Sequence, residues 1–151
     1  MLIIPKVLII ALASGVVVQI IKACIMSWQN KEIFNFHYLS RYGGMPSTHS
    51  AFLASLSSAV FLEDGFASTS FAICLIFSII IIRDAFGFRM LLENQGKTLK
   101  KMIDNNEKEF KEIEKYDRYK TLGLRVGHTL PEIIVGTMIG ILVTLSLFFI
   151  I

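Results

Sequence analysis

Four long runs of apolar residues limit the folds open to this chain more than any other feature. They cover residues 7–28, 46–62, 66–82 and 131–151. A helix needs roughly 20 mostly apolar residues to cross the hydrocarbon core of a bilayer, so each run is a candidate transmembrane helix. The second run is shorter and rich in Ala and Ser, which favours close packing inside a helix bundle. With 54% hydrophobic and 18% charged residues, the sequence predicts an all-α membrane protein, a bundle of four or five transmembrane helices in a single domain over residues 1–151.

The basic residues are concentrated in one part of the chain. Eleven of the fifteen Lys and Arg residues lie from Arg83 to Arg125, and four lie outside that segment. The apolar spacing within residues 96–120 predicts an amphipathic helix inside a charged segment at about 88–128. A solvated connector and a membrane-surface or partner-binding helix both fit this pattern. The positive-inside rule places the charged segment in the cytoplasm, with both termini outside, in a multi-pass protein of the cell membrane.

The first histidine-centred stretch, Gly43–Ser50, has the chemistry of an anion site at the start of a helix. Pro46 is expected to form the first helical turn, followed by the hydroxyl and backbone N–H groups of Ser47 and Thr48. The unpaired N–H groups and dipole of a helix N-terminus bind phosphate readily. His49 lies one position further on, where it could donate or accept a proton. The alternative is plain capping, with Ser47 as N-cap and His49 as a buried polar residue.

The second stretch pairs His128 with Glu132, four residues later. On one helix face, the carboxylate would orient the imidazole and make His128 a candidate nucleophile toward phosphorus. A capping box formed by Thr129 and Glu132 explains the same residues equally well and places His128 just outside the helix. Both interpretations stay open at the level of sequence. Gly136 and Gly140, on the Glu132 face, predict close helix packing rather than chemistry.

Ionisable residues near the membrane boundary provide the remaining candidates. Asp84 is one polar candidate, which follows Arg83 at the end of the third apolar run and precedes Arg89 by five residues. Cations can bind phosphate oxygens, and interfacial snorkelling is the alternative role for each of them. The candidate phosphate-binding cations are Lys22, Arg41, Arg89 and Arg125.

A metal site is a weaker alternative interpretation of the same polar residues. It would require His49, His128, Glu132 and Asp84 to converge on one point at metal–ligand distances of about 2–2.3 Å. The leading expectation is a site without a metal or a cofactor.

Three blocks, taken in order, resemble the signature of a known family. They are Gly43–Ala51, Asp84–Arg89 and Gly127–Glu132. Together they are similar to the divergent branch of the type 2 phosphatidic acid phosphatases, often called acid phosphatase/vanadium-dependent haloperoxidase-related proteins. The resemblance extends from about Gln19 to the C-terminus.

The resemblance implies an enzyme that removes phosphate from lipid phosphates without a metal. It implies that His128 attacks phosphorus, that Glu132 orients His128, and that His49 protonates the leaving oxygen. Ser47 and Thr48 would bind phosphate oxygens. Some features depart from the superfamily: no Arg-Pro pair occurs in the chain, and Leu122 stands where an arginine is usual.

The sequence therefore predicts a phosphatase of membrane lipid phosphates or pyrophosphates that works through a phosphohistidine. The alternative is a catalytically degenerate membrane protein that binds or helps translocate a phosphorylated lipid, or scaffolds a partner. The expected partners are the lipid bilayer and a phosphorylated lipid, with no nucleic acid. The low helix count leaves open a site completed across a homodimer.

Overall fold

Five α-helices form the described part of the chain. The computed structural model describes residues 5–31, 44–106, 122–123 and 127–151, and these residues contain no β-strand. The predicted all-α class is therefore confirmed. The helices are α1 (Lys6–Asn30), α2 (Thr48–Asp64), α3 (Thr69–Phe86), α4 (Phe88–Asn105) and α5 (Leu130–Phe148).

Three helical stretches within the described residues are long and apolar enough to cross a membrane. They are Lys6–Gln29, Thr69–Asn105 and Leu130–Phe148. Many large apolar side chains on these helices are exposed, including Ile76 of α3 and Leu142 of α5. Exposed apolar surface on a helix bundle suits contact with lipid tails rather than water. The chain is a multi-pass membrane protein.

The helix α2 lies at the centre of the bundle, packed against α1, α3 and α5. With 17 residues it is shorter than the three apolar stretches, and a larger share of its residues is buried. Small side chains let neighbouring helices approach closely, and hydroxyl pairs then join them inside the bundle. Ser55 Oγ lies 2.7 Å from Thr144 Oγ1 of α5, and Ser57 Oγ lies 2.9 Å from Ser78 Oγ of α3. The prediction of a helix packed inside the bundle is confirmed.

The contact between α2 and α5 depends on two glycines. Gly136 packs directly on the backbone of Ser47, and Gly140 packs on the backbone of Ala51 one turn further along. A Cβ atom at either glycine would overlap a carbonyl oxygen of α2. The two helices therefore run parallel at backbone contact, as the packing interpretation of these glycines predicted.

One end of the bundle collects the ends of α1 and α3 and the beginnings of α2 and α5. The backbone N–H of Ser47 donates to the carbonyl oxygen of Glu132 at 3.0 Å, which joins the first turns of α2 and α5. The N–H of His128 donates to the carbonyl oxygen of Ala85, near the end of α3, at 3.1 Å. We call this end of the bundle the site end.

The opposite end holds the start of α1, the end of α5 and the turn between α2 and α3. Lys6 Nζ lies 4.0 Å from the centre of the Phe148 ring, and Gly65 ends α2 at this end with a positive φ of 84°. The expectation that both termini lie on one side agrees with this arrangement.

The helix α4 follows α3 almost without interruption. Gly87 separates them, and its N–H donates to the Arg83 carbonyl oxygen at 2.7 Å. The prediction that the amphipathic helix begins near residue 96 is wrong, because the apolar stripe already includes the exposed Phe88, Leu91 and Leu92. The part of the predicted helix at 107–120 lies outside the described residues.

Candidate active site

The first turn of α2 is capped by a serine. Ser50 donates to Ser47 Oγ both from its backbone N–H, at 3.4 Å, and from its own hydroxyl, at 2.9 Å. Ser47 is fully buried, so its hydroxyl serves the helix end, as the capping interpretation predicted. The prediction that Pro46 forms the first helical turn is wrong. The cap falls one residue later, and the helix begins at Thr48.

The next two residues of α2 offer polar groups at the site end. Thr48 Oγ1 is buried, and within the described part of the chain it has no hydrogen-bond partner. A buried hydroxyl without a hydrogen-bond partner destabilises the fold unless a ligand or a water molecule bonds to it. His49 is exposed and lines a cavity of about 570 Å³ beside Asp84, Phe88 and Arg89. The interpretation of His49 as a buried polar residue is therefore wrong.

The second histidine stretch forms a buried pair. His128 Nδ1 lies 3.2 Å from Glu132 Oε2, and the two residues are only 4% and 5% exposed. The same oxygen accepts the backbone N–H of Thr129 at 3.1 Å, as one half of a capping box. The capping box is present, with His128 just outside the helix, and the same carboxylate also contacts the imidazole. The role of His128 as a nucleophile stays a prediction.

The backbone around His128 is held by two other elements. Besides the bond from His128 to Ala85, the N–H of Gly127 donates to Glu93 Oε2 of α4 at 3.3 Å. Glu93 also accepts a charge-assisted hydrogen bond from Lys97 at 2.6 Å. Sequence analysis missed Glu93, because its only signal is the four-residue spacing to Lys97, which is typical of an ordinary exposed ion pair.

The two histidine stretches meet at the site end. The charges of Arg89, His128 and Lys22 lie close enough to act on the His49 imidazole. Three helices and the segment that leads into α5 thus contribute to one polar cluster. Lys22 is only 4% exposed, which does not fit an interfacial snorkelling role. A Cβ at Gly44 would lie 3.7 Å from Lys22 Cε, which places this side chain beside the chain segment that enters α2.

The remaining candidates differ in what the structure says of them. Arg89 Nε donates to Asp84 Oδ2 at 2.9 Å across the break between α3 and α4, and both residues line the His49 cavity. Arg41 and Arg125 lie outside the described residues. Among the residues that are described, no group of three or more His, Cys, Asp or Glu side chains is arranged to hold a metal ion. The metal interpretation of His49, His128, Glu132 and Asp84 thus finds no support there.

The structure defines an integral membrane protein, a bundle of helices with a polar cluster at one end that contains two histidines, a buried carboxylate and cations. Within that class, the chain belongs to the divergent PAP2 family, whose profile matches residues 4–143. The family predicted from the sequence is confirmed. The chain is 33% identical over 143 residues to the uncharacterized membrane protein YuiD of Bacillus subtilis (strain 168), covering 91% of this chain and 90% of that protein. No solved structure matches the chain.

Proposed function

We propose that this protein is a metal-independent phosphatase of membrane lipid phosphates or pyrophosphates. The observation that carries the proposal is the buried contact of 3.2 Å between His128 and Glu132, beside His49 at the site end. A carboxylate on Nδ1 favours the tautomer with the proton on that nitrogen, and so leaves the lone pair on Nε2. An imidazole oriented in this way is a nucleophile suited to attack on phosphorus.

The reaction proceeds in two steps. His128 Nε2 forms a bond to phosphorus while the bond from phosphorus to the ester oxygen breaks, and His49 gives its proton to that oxygen. Water then attacks phosphorus while the bond from phosphorus to His128 Nε2 breaks, His49 takes a proton from the water, and inorganic phosphate leaves. The carboxylate of Glu132 stabilises the positive charge that develops on His128 in the first step. Glu132 is thus a positioning residue.

Three features of the site end can hold the phosphate oxygens: a hydroxyl group, the N-terminus of α2 and two cations. Thr48 offers a buried hydroxyl without a partner among the described residues, at the N-terminus of α2. The helix dipole favours an anion there. Arg89 and Lys22 add positive charge close to His49. Arg41 and Arg125 stay candidates from the sequence alone.

We place the site on the cytoplasmic face of the cell membrane. The segment at about 88–128, which holds most of the basic residues, leaves and re-enters the bundle at the site end. Cytoplasmic loops carry the excess of Lys and Arg in membrane proteins. Residues 1–151 then act as one integral membrane domain.

The test is release of phosphate from lipid phosphates by protein purified and reconstituted in lipid. We expect His128→Ala to abolish turnover and His49→Ala to lower kcat on the order of 10²- to 10⁴-fold, as expected for loss of a general acid. The matched control is His37→Ala, which changes the remaining one of the chain's three histidines, and we propose no role for His37. Turnover that is equal in all three variants and the wild type would refute the assignment.

A second candidate function is binding of a phosphorylated lipid without turnover, in support of its translocation or of a partner protein. Two observations favour it: no Arg-Pro pair occurs in the chain, and Leu122 stands where the superfamily usually has an arginine. This candidate predicts headgroup binding that survives in His128→Ala and is lost in Arg89→Ala. Turnover by the wild type that depends on His128 would exclude it. A homodimer fits either candidate.

A further inference from the structure

An apolar groove begins at His49 and follows α2 away from the site end. Phe52 and Leu53 of α2 form its floor, Gly15 of α1 forms one wall, and Phe77 and Ile81 of α3 form the other. The cavity between them measures about 310 Å³. Leu53 follows His49 by four positions along α2, so the groove is about 6 Å long.

The groove adjoins the polar cavity of the site. His49 and Ile81 line both cavities, and the polar one also contains Arg83 and Arg89. One side of His49 therefore faces a cavity that holds two arginines and one aspartate, and the other side faces a groove lined mostly by apolar residues. A phosphorylated amphiphile has the same division, with an anionic head next to an apolar chain.

The groove opens toward the surface that faces lipid. Phe77 in its wall is 55% exposed, and the neighbouring Ile80, which lines the polar cavity, is 60% exposed. In a membrane helix such exposed apolar residues contact lipid tails. A molecule in the bilayer could enter sideways between α1 and α3 without leaving the membrane.

Gly15 keeps the groove open. A Cβ atom at Gly15 would lie 3.5 Å from Phe52 Cδ2, which is an ordinary van der Waals contact. Helix packing therefore does not require glycine at this position, in contrast to Gly136 and Gly140 on α5. A longer side chain at position 15 would extend into the space between Phe52 and Phe77.

We propose that this groove binds the hydrocarbon segment next to the phosphate of a membrane lipid, and that Gly15 and Phe77 determine specificity for it. The lipid enters laterally between α1 and α3, and its phosphate reaches His49 while its first methylenes lie along α2. Beyond Leu53 the chain merges with the surrounding bilayer. The effect of the groove on kcat/KM rests on the proposed phosphatase function, whereas binding of the lipid in the groove does not.

The first experiment measures the preference for an alkyl chain, as the ratio of kcat/KM for hexadecyl phosphate in micelles to kcat/KM for methyl phosphate, which has no methylene chain to enter the groove. We expect Gly15→Leu to lower this ratio at least tenfold, because leucine fills the groove. The matched control is Val16→Leu, at an exposed position next along α1. Phe77→Ala, at a half-exposed wall position, should also lower the ratio, while Ile76→Ala beside it should not. A ratio unchanged in both groove variants would overturn the proposal.

The second experiment does not depend on turnover. Hexadecyl phosphate with a diazirine near its headgroup is photolysed with the reconstituted wild type, and the adducts are mapped by mass spectrometry. We expect adducts on Gly15, Phe52, Phe77 and Ile81, and their loss in Gly15→Leu. Equal labelling of lipid-facing residues such as Leu142 would overturn the proposal. Groove labelling without hydrolysis of any phosphate ester would overturn the phosphatase function alone and keep the groove.

Discussion

At the scale of single residues, one carboxylate oxygen has two tasks. Glu132 Oε2 accepts the N–H of Thr129 and also contacts His128 Nδ1. An ionised carboxylate oxygen has more than one lone pair and can serve both donors. The start of α5 and the orientation of the imidazole are therefore coupled through one atom, and a substitution must be chosen to separate them.

Glu132→Gln separates these two tasks. The amide oxygen can take the place of Oε2 and still accept from Thr129, but the group beside His128 Nδ1 loses the negative charge that would stabilise a developing imidazolium. We expect phosphatase turnover to fall on the order of 10³-fold, since loss of the tautomer-setting carboxylate in a comparable triad costs about 10⁴-fold. The melting temperature in detergent should stay close to that of the wild type, because the cap is kept. Both quantities are measured on the same purified protein.

The control for this change is Glu63→Gln, at an exposed position near the end of α2 that lies away from the site. It removes the same charge and should leave turnover unchanged. A Glu132→Gln protein with wild-type turnover would show that Glu132 only caps α5. A large fall in melting temperature would show instead that the charge is needed for the fold.

Individual residues differ in how far the sequence could predict them. The contact between His128 and Glu132 was one of two interpretations that their spacing of four left open, and the structure contains it together with the cap. The burial of Lys22 could not be predicted, because it depends on the segment around Gly44 covering that face of α1. The role of Glu93 depends on a contact with Gly127, far away in sequence, which no local pattern reveals.

At the scale of elements, α2 and α5 are held at backbone contact by glycines. The carbonyl oxygens of Ser47 and Ala51 occupy the space that side chains at Gly136 and Gly140 would need. Without a hydrophobic driving force between helices in lipid, close packing of this kind and buried hydroxyl pairs supply much of the association energy. The pair formed by Ser55 and Thr144 continues the same interface.

Gly140→Ala tests this interface. One added methyl group would force α5 away from α2, and overpacking of this kind costs about 1–3 kcal/mol. Because each kcal/mol corresponds to roughly 2–4 °C for a chain of this size, we expect a fall of several degrees in the melting temperature in detergent. Gly15→Ala is the matched control, since a Cβ there meets only an ordinary contact. A fall of equal size in both variants would contradict the backbone-contact interface.

The positions of elements were predictable where composition alone decides them. The apolar runs located α1, α3 and α5, and the Ala and Ser content identified α2 as a packed helix. The starts of α2 and α4 were misplaced, because each is set by a local competition. Because Ser47 is the N-cap, α2 begins at Thr48, after Pro46. The apolar residues from Phe88 onward let α4 begin directly after Gly87.

At the scale of the whole molecule, the site end is where the basic segment joins the bundle. We propose that this end faces the cytoplasm, and the opposite end, with the turn near Gly65, faces outside. This arrangement would give the site access to lipids of the inner leaflet, since the groove opens sideways into that half of the bilayer.

Cysteine labelling tests this orientation. In a chain with Cys24 and Cys74 replaced by Ala, a cysteine at the exposed position 63 or 101 is treated with a membrane-impermeant maleimide. We expect Glu63→Cys to react in intact cells and Lys101→Cys to react only after permeabilisation. The reverse pattern would place the site on the outer face and leave its chemistry unchanged.

The hydrogen bond from the Ser47 N–H to the Glu132 carbonyl oxygen has a consequence for biogenesis. The ribosome makes α2 well before α5. When α2 enters the membrane, the Ser47 N–H has not yet met its acceptor, and the face that will contact Gly136 and Gly140 is still uncovered. This hydrogen bond can form only when α5 has been inserted beside α2. His49 is therefore in the membrane before His128, and the last of the five described helices to be made brings the two histidine stretches together.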